Sequence, residues 1–302
     1  MRETGFTLLI TAGILGMFLI VPMAFKKTPA AAPVVAVATS TIPDSFARVP
    51  LQAKAVIVYD LATKQTLFEK NADAQLPLAS LTKLLTVYAA LNELSPTAQI
   101  SIPADATRVD APRAFSVGQT FALSDLARLT LTASLNDGAT AIAEATAGQQ
   151  NVSQMQMLAS AASALNLAET YAVNGSGLDV SSSISGGYGS ARDLARLAGA
   201  LVQQAPDIAA ATTQHSATAV SAGGTAFTVA NTDPMVGTYP RLLLSKTGYT
   251  DLAGGNLVLV FDSGILHPIA VVVLGSTQKE RFTDGSALVA ATLAHFAGVA
   301  SL

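Results

Sequence analysis

Residues 6–25 (FTLLITAGILGMFLIVPMAF) form an uncharged apolar run. About 20 helical residues rise roughly 30 Å, the thickness of a bilayer core, so the run predicts a membrane-spanning helix. Residues 28–44 (TPAAAPVVAVATSTIPD) are small and proline-punctuated, the pattern of an extended tether. From residue 54 the periodicity becomes that of a folded domain. The β-branched and aromatic stretch 55–59, a turn over 60–65 and the alternating stretch 66–70 predict a β-hairpin. Leu81, Leu84, Leu85, Tyr88 and Leu91 recur at the spacing of one buried helical face, predicting a helix from Ser80. Helical spacing returns over 123–131, 138–147, 152–167 and 190–203, an apparently all-helical middle block. Stretches 242–245, 255–261 and 267–274 read as strands, with turns over 251–255 and 262–268, and 284–297 reads as a closing helix. Strands at both ends with helices between imply one sheet made of sequence-distant strands, with a helical insertion beside it.

Length and charge narrow the choices. A chain of 302 residues can bury a large core. Its net charge of −3 and sparse charged residues carry no basic stripe, which argues against a nucleic-acid partner. It has no cysteine, which excludes disulfides and thiolate metal sites. His215, His267 and His295 are scattered, with no pair at the spacing of a metal site.

Three polar clusters carry candidate chemistry. Ser80 and Lys83 stand three residues apart, and such positions lie side by side on a helix. A serine hydroxyl needs a neighbouring base to become a nucleophile. Lysine serves only if its pKa is pulled far down. Taken alone, the pair is weak, because Ser276 and Lys279 repeat its spacing. Ser134-Leu135-Asn136 falls between two helical stretches, where a loop can aim both polar side chains into a cleft; an ordinary Asn-Asp-Gly turn would read the same. Lys246-Thr247-Gly248 closes a strand candidate, and a glycine at a strand margin lets another backbone or a ligand approach closely.

In this order, Ser-x-x-Lys, Ser-x-Asn and Lys-Thr-Gly are the motif set of the penicillin-binding proteins and serine β-lactamases. The chain resembles the D-alanyl-D-alanine carboxypeptidases, the low-molecular-weight penicillin-binding proteins, from about residue 54 to 296. Besides the three motifs, the runs 174–178 (NGSGL), 190–195 (SARDLA), 246–250 (KTGYT) and 273–276 (VLGS), with Arg281 beyond, fall where that family has similar residues. The resemblance implies an α/β fold of the β-lactamase/transpeptidase type: an antiparallel sheet flanked by helices, with an all-helical subdomain. It divides the chain into a tail (1–5), a transmembrane signal-anchor (6–25), a flexible linker (26–45) and a catalytic domain (46–302).

It also implies roles. Ser80 would be acylated by a peptide ending in D-Ala-D-Ala, with Lys83 as base and Lys246 as one reason for a depressed Lys83 pKa. Ser134 would pass a proton to the leaving amine, and Asn136 would hold Lys83 and a substrate amide at once. The backbone N–H groups of Ser80 and Tyr249, beside Gly248, would hold the oxyanion. Thr247 and Arg281 would take the substrate carboxylate. The resemblance implies no metal or organic cofactor; the expected partners are peptidoglycan stem peptides, β-lactams as covalent inhibitors, and the membrane through the N-terminal helix. Leu135 departs from the family's usual glycine.

The length of the apolar run favours an uncleaved anchor in the cytoplasmic membrane over a cleaved signal peptide and secretion. Flanking charge leaves orientation open, and the outward placement of the domain follows from the implied substrate. A D,D-endopeptidase of the same family is not separable from a carboxypeptidase at this level. A serine β-lactamase is disfavoured because residues 165–170 (LNLAET) lack the required glutamate order. A non-catalytic wall-binding protein need not retain both lysines.

Overall fold

The computed structural model describes residues 44–298, which belong to the second of two units, Met1–Thr41 and Ile42–Leu302. The predicted anchor and residues 26–43 of the linker lie outside the described residues. Among the described residues no helix is long and apolar enough to cross a membrane.

The predicted hairpin forms as β1 (Ala55–Asp60) and β2 (Gln65–Lys70). A short strand β3 (Leu76–Pro77) and a 3-10 turn, Ala79–Leu81, lead into α1 (Thr82–Glu93), so the helix begins just after Ser80 rather than at it. β4 (Gln99–Ser101) and β5 (Thr120–Ala122) pair as a ribbon, and α2 (Leu123–Ala133), α3 (Asn136–Gln150) and α4 (Gln154–Ala164) follow. α4 starts two residues later than predicted, where Ser153 closes a capping box with Gln156, and ends three residues earlier, at Ala164. β6 (Tyr171–Ala172) and β7 (Gly187–Gly189) join β3 in a three-stranded sheet. Then come α5 (Ala191–Gln204), α6 (Pro206–Ala211) and the hairpin of β8 (Ser216–Val220) with β9 (Ala226–Ala230). The middle block is therefore not all helical. The inward positions of β8 are Ala217 and Ala219, too small to mark the alternation by hydrophobicity.

The chain closes with β10 (Leu242–Thr250), β11 (Gly254–Asp262), β12 (Pro268–Ser276) and α7 (Glu280–Phe296). The main sheet is antiparallel, in the order β10-β11-β12-β1-β2, so strands from the two ends of the domain meet where β1 pairs with β12. Successive strand residues face opposite sides, and β1 shows why its run is continuously apolar. Ala55, Ile57 and Tyr59 face the core under α1, α2 and α5, while Val56 and Val58 face a second core under α7. A strand buried on both faces loses the alternation of a half-buried one. α7 starts four residues earlier than predicted, which puts Arg281 inside its first turn.

Candidate active site

Ser80 is presented by a strained turn. Ala79, immediately before it, has φ +49°, a left-handed conformation that an L-residue adopts only when its surroundings enforce it. Those surroundings come from three sides. Gly177 packs directly onto the carbonyl of Ala79, where an added Cβ would stand 2.0 Å from the oxygen. Gly248 of β10 crosses the turn so closely that a Cβ would lie 2.9 Å from the Leu78 oxygen. The buried side chain of Asn256 on β11 donates to the carbonyls of Pro77 (3.0 Å) and Leu78 (3.1 Å) and accepts from the Gly275 N–H (2.8 Å). A buried polar side chain with every bond satisfied specifies one arrangement, and here it ties the Ser80 turn to the sheet.

Lys83 lies one helical turn further, fully buried in α1. Its Nζ donates to Ser80 Oγ (2.9 Å), Asn136 Oδ1 (2.7 Å) and the Ser176 carbonyl (2.7 Å). Burial pulls its pKa down to about 7, against a smaller upward pull from Asp137. Asp137 does not face the serine. Its carboxylate accepts from the backbone of Ala114, Phe115 and Gly138, which fixes the start of α3.

Lys246, also fully buried, donates to Ser134 Oγ (2.9 Å) and the Thr247 carbonyl (2.7 Å). Burial first, and then the Lys83 and Arg281 cations, hold its pKa well below the ordinary lysine value. Burial is thus the first cause of the Lys83 shift, and the like charge of the two neighbouring amines disfavours both being protonated at once.

Asn136 opens α3. Its Nδ2 donates to the carbonyls of Asp110 (2.9 Å) and Ala111 (3.0 Å), which uses both amide protons. The expectation that it holds Lys83 and a substrate amide together is therefore revised. In this structure it holds Lys83 against the backbone of residues 110–111. Ser134 caps α2 in a left-handed conformation, φ +59°, which turns its hydroxyl to Lys246. Leu135 is buried in the core, so the departure at that position adds bulk beneath the site and not in the cleft.

The third motif lies inside β10, which runs two residues beyond Gly248 to Thr250. Thr247 Oγ1 shares a 2.7 Å hydrogen bond with Thr232 Oγ1. Tyr249 is 44% exposed. Arg281, nearly buried, donates to the Gly248 carbonyl (2.6 Å), stacks on Phe282 and leaves its Nε without a partner. Burial lowers its pKa, partly countered by Asp233.

The structure thus gathers Ser80, Lys83 and Asn136 in one hydrogen-bonded cluster and Ser134 with Lys246 in a second, joined by the proximity of the two amines. Ser176, Gly177, Asn256 and Thr232 carry no role in the sequence reading. The run 174–178 shows what a loop can do: Asn174 Oδ1 accepts from Ser176 N, Ser176 Oγ and Gly177 N, folding the loop so that the Ser176 carbonyl meets Lys83. A cavity of about 800 Å³ near Tyr59, Lys64 and Arg196 lies at the far end of the sheet, away from this chemistry.

Comparison with known proteins agrees with this geometry. The family model of the D-alanyl-D-alanine carboxypeptidases matches residues 41–278, and the chain belongs to this family of serine peptidases. It is 29% identical to a D-alanyl-D-alanine endopeptidase of Pseudomonas aeruginosa, over 84% of this chain and 83% of that protein. It is 30% identical to the D-alanyl-D-alanine carboxypeptidase DacC of Escherichia coli, over 79% of this chain but only 60% of that longer protein. Among solved structures, penicillin-binding protein D2 of Listeria monocytogenes, in an ampicillin-bound form, superposes with a TM-score of 0.69. It is 27% identical, and the match covers 81% of this chain and 98% of that one.

Proposed function

We propose that this chain is a serine-type D-Ala-D-Ala carboxypeptidase that trims the terminal D-alanine from peptidoglycan stem peptides through an acyl-enzyme on Ser80. One observation carries the reading: a buried lysine with a pKa near 7, its Nζ 2.9 Å from the hydroxyl it would deprotonate. In the neutral amine the two N–H bonds go to Asn136 Oδ1 and the Ser176 carbonyl. The lone pair is then left for the Ser80 proton.

Ser80 Oγ attacks the carbonyl carbon of the penultimate D-alanine as its proton passes to Lys83. The backbone N–H groups of Ser80 and Tyr249 hold the oxyanion. The carbon–nitrogen bond then breaks, and the departing D-alanine amine takes a proton by way of Ser134, which bridges to Lys246. Water hydrolyses the Ser80 ester and returns the free enzyme. Thr247 and Arg281 receive the terminal carboxylate, a role suited to a guanidinium that the Gly248 carbonyl holds beside β10. β-Lactams would acylate the same serine, as the ampicillin-bound relative suggests.

A D,D-endopeptidase is the second reading, favoured by the near-equal coverage of the chain and the Pseudomonas endopeptidase. The N-terminal apolar run supports a single-span anchor, and the wall peptide that the reaction consumes supports placing the domain outside the cytoplasmic membrane. Intact mass after benzylpenicillin, wild type beside Ser80→Ala, tests the nucleophile. A lasting single adduct on the wild type alone is expected, and no adduct would sink the acyl-enzyme. Release of D-alanine from a pentapeptide, set against cleavage of a cross-linked dimer, separates the two peptidases.

A further inference from the structure

The end of the sheet remote from Ser80 has an unusual surface. Residues 263–267 join β11 to β12 there, and the tip carries Ile265 and Leu266, 97% and 87% exposed. No other large apolar side chain among the described residues exceeds 59%. Turn tips normally carry Gly, Asn, Asp or Ser, and Leu266 holds φ +56°, a conformation that suits glycine or asparagine. The loop is nevertheless well braced. Asp262 Oδ1 accepts from Gly264 N (3.1 Å) and His267 N (2.9 Å), and Ser263 N donates to the His267 carbonyl (3.0 Å).

Two further features lie at this end. Phe296, the last residue of α7 and 42% exposed, meets the His267 ring edge-on at 5.1 Å. Its neighbour His295 packs at 5.9 Å on Phe46, close to the first described residue. From Phe46 the chain runs along α7 until the N–H groups of Gln52 and Ala53 reach Asp284 near the helix's other end. β1 then returns to the tip, where Asp60 pairs opposite Ile269. The domain is therefore entered at the tip end, while Gly248 pairs with Asn256 toward the opposite end of β11. Charge here is mixed: Asp60 accepts from His267 and backbone groups, Arg241 is exposed but donates to the Asp262 carbonyl and faces the Asp262 carboxylate, and Lys64 is exposed.

We propose that Ile265, Leu266 and Phe296 form a lipid-facing tip that rests in the interfacial layer of the membrane and turns the Ser80 cleft away from it. The proposal rests on residues 6–25 being a membrane anchor. Residues 26–43, fully extended, reach at most roughly 60 Å, so the tether permits many orientations and does not choose one. The tip chooses. Two side chains on a narrow loop and one at a helix end offer far less than the ~800 Å² per partner of a stable protein interface, which disfavours a second copy. A bilayer interface accepts isolated aliphatic and aromatic side chains, and the exposed Lys64 ammonium suits its headgroup phosphates. Tethering supplies the high effective concentration that so small a contact needs.

The sequence contains no tryptophan, so Ile265→Trp introduces a single fluorophore at the tip. Val180→Trp, on the loop after Ser176 beside the active site, is the control. The full chain is reconstituted into phosphatidylethanolamine–phosphatidylglycerol vesicles with or without brominated acyl chains. The tip tryptophan is expected to emit at shorter wavelength and to lose emission to brominated lipid, and the control to do neither. Adding Leu266→Asp should restore the lost emission while the chain still floats with vesicles and still takes up benzylpenicillin. A floating chain whose tip tryptophan is untouched by brominated lipid overturns the proposal and leaves the anchor standing. A chain that does not float overturns both. A wavelength shift that grows with protein density and ignores bromine assigns the tip to a second copy, which also overturns the proposal.

Discussion

Lys83 Nζ stands 2.9 Å from Ser80 Oγ with no water-exposed surface on the lysine side chain, and its remaining bonds go to a side-chain amide and a backbone carbonyl. No carboxylate among the described residues bonds to either group, so nothing compensates the desolvated charge directly. An amine so placed is a base near neutral pH, which ordinary lysine is not.

The pH profile follows. Acylation needs neutral Lys83, whose fraction rises tenfold per pH unit below a pKa of about 7 and levels above it. The second-order rate of benzylpenicillin adduct formation should climb from pH 5 to 7 and flatten by pH 8. A rate that keeps climbing to pH 10 would assign the base to a group with an ordinary lysine pKa.

Stability should move in the same direction. Lys83 and Lys246 both have folded pKa values below their unfolded ones, so above about pH 7 the unfolded chain binds more protons than the folded one. Stability from these groups therefore rises with pH from about 7 toward 10, with a slope of up to ~1.4 kcal/mol per pH unit for one group. Urea midpoints measured across that range, beside Lys83→Met, check the sign: the variant should lose part of the slope.

Removing the base should cost rate. Lys83→Ala is expected to slow acylation by about 10²–10⁴-fold, the usual contribution of a positioned base. Stopped-flow or mass-resolved acylation measures it, and a loss under tenfold would argue for another base.

Asn256→Ala tests the clamp on the nucleophile turn. It would leave the buried carbonyls of Pro77 and Leu78 unpaired, at a cost of about 1–3 kcal/mol in stability. Because those carbonyls hold the Ser80 turn, acylation should fall further than the lowered melting temperature explains. Both are read on the same preparation below its unfolding transition.

Arg281→Ala should raise KM for peptides ending in a free carboxylate by about 10- to 100-fold, the range for a lost charge-assisted bond. Peptides ending in an amide should be cleaved alike by both proteins. Steady-state release of the terminal residue measures the difference.

Much of the architecture was legible in the chain. The two strand-forming ends, the helical stretches and the hairpin over 55–70 follow from periodicities that local side chains express directly. The order Ser80/Lys83, Ser134/Asn136, Lys246/Thr247 marked the site, because motif residues keep their spacing whatever surrounds them. Less legible were β8 and β9, whose buried alanines leave little hydrophobic signal, and the first turn of α7, where Arg281 interrupts an apolar face.

What the sequence determined by itself was the inventory: which residues could act as nucleophile and base, and which segments could be helix or strand. The tertiary structure decided the chemistry. It lowered the Lys83 pKa by burying the amine, and it directed the Asn136 amide protons to residues 110–111. It brought Asn256 from 178 residues away onto the turn that carries Ser80. Burial and long-range contact are properties of the assembled core. A pKa or a clamp that depends on desolvation cannot be written in local spacing, because the groups that exclude water come from everywhere else in the chain.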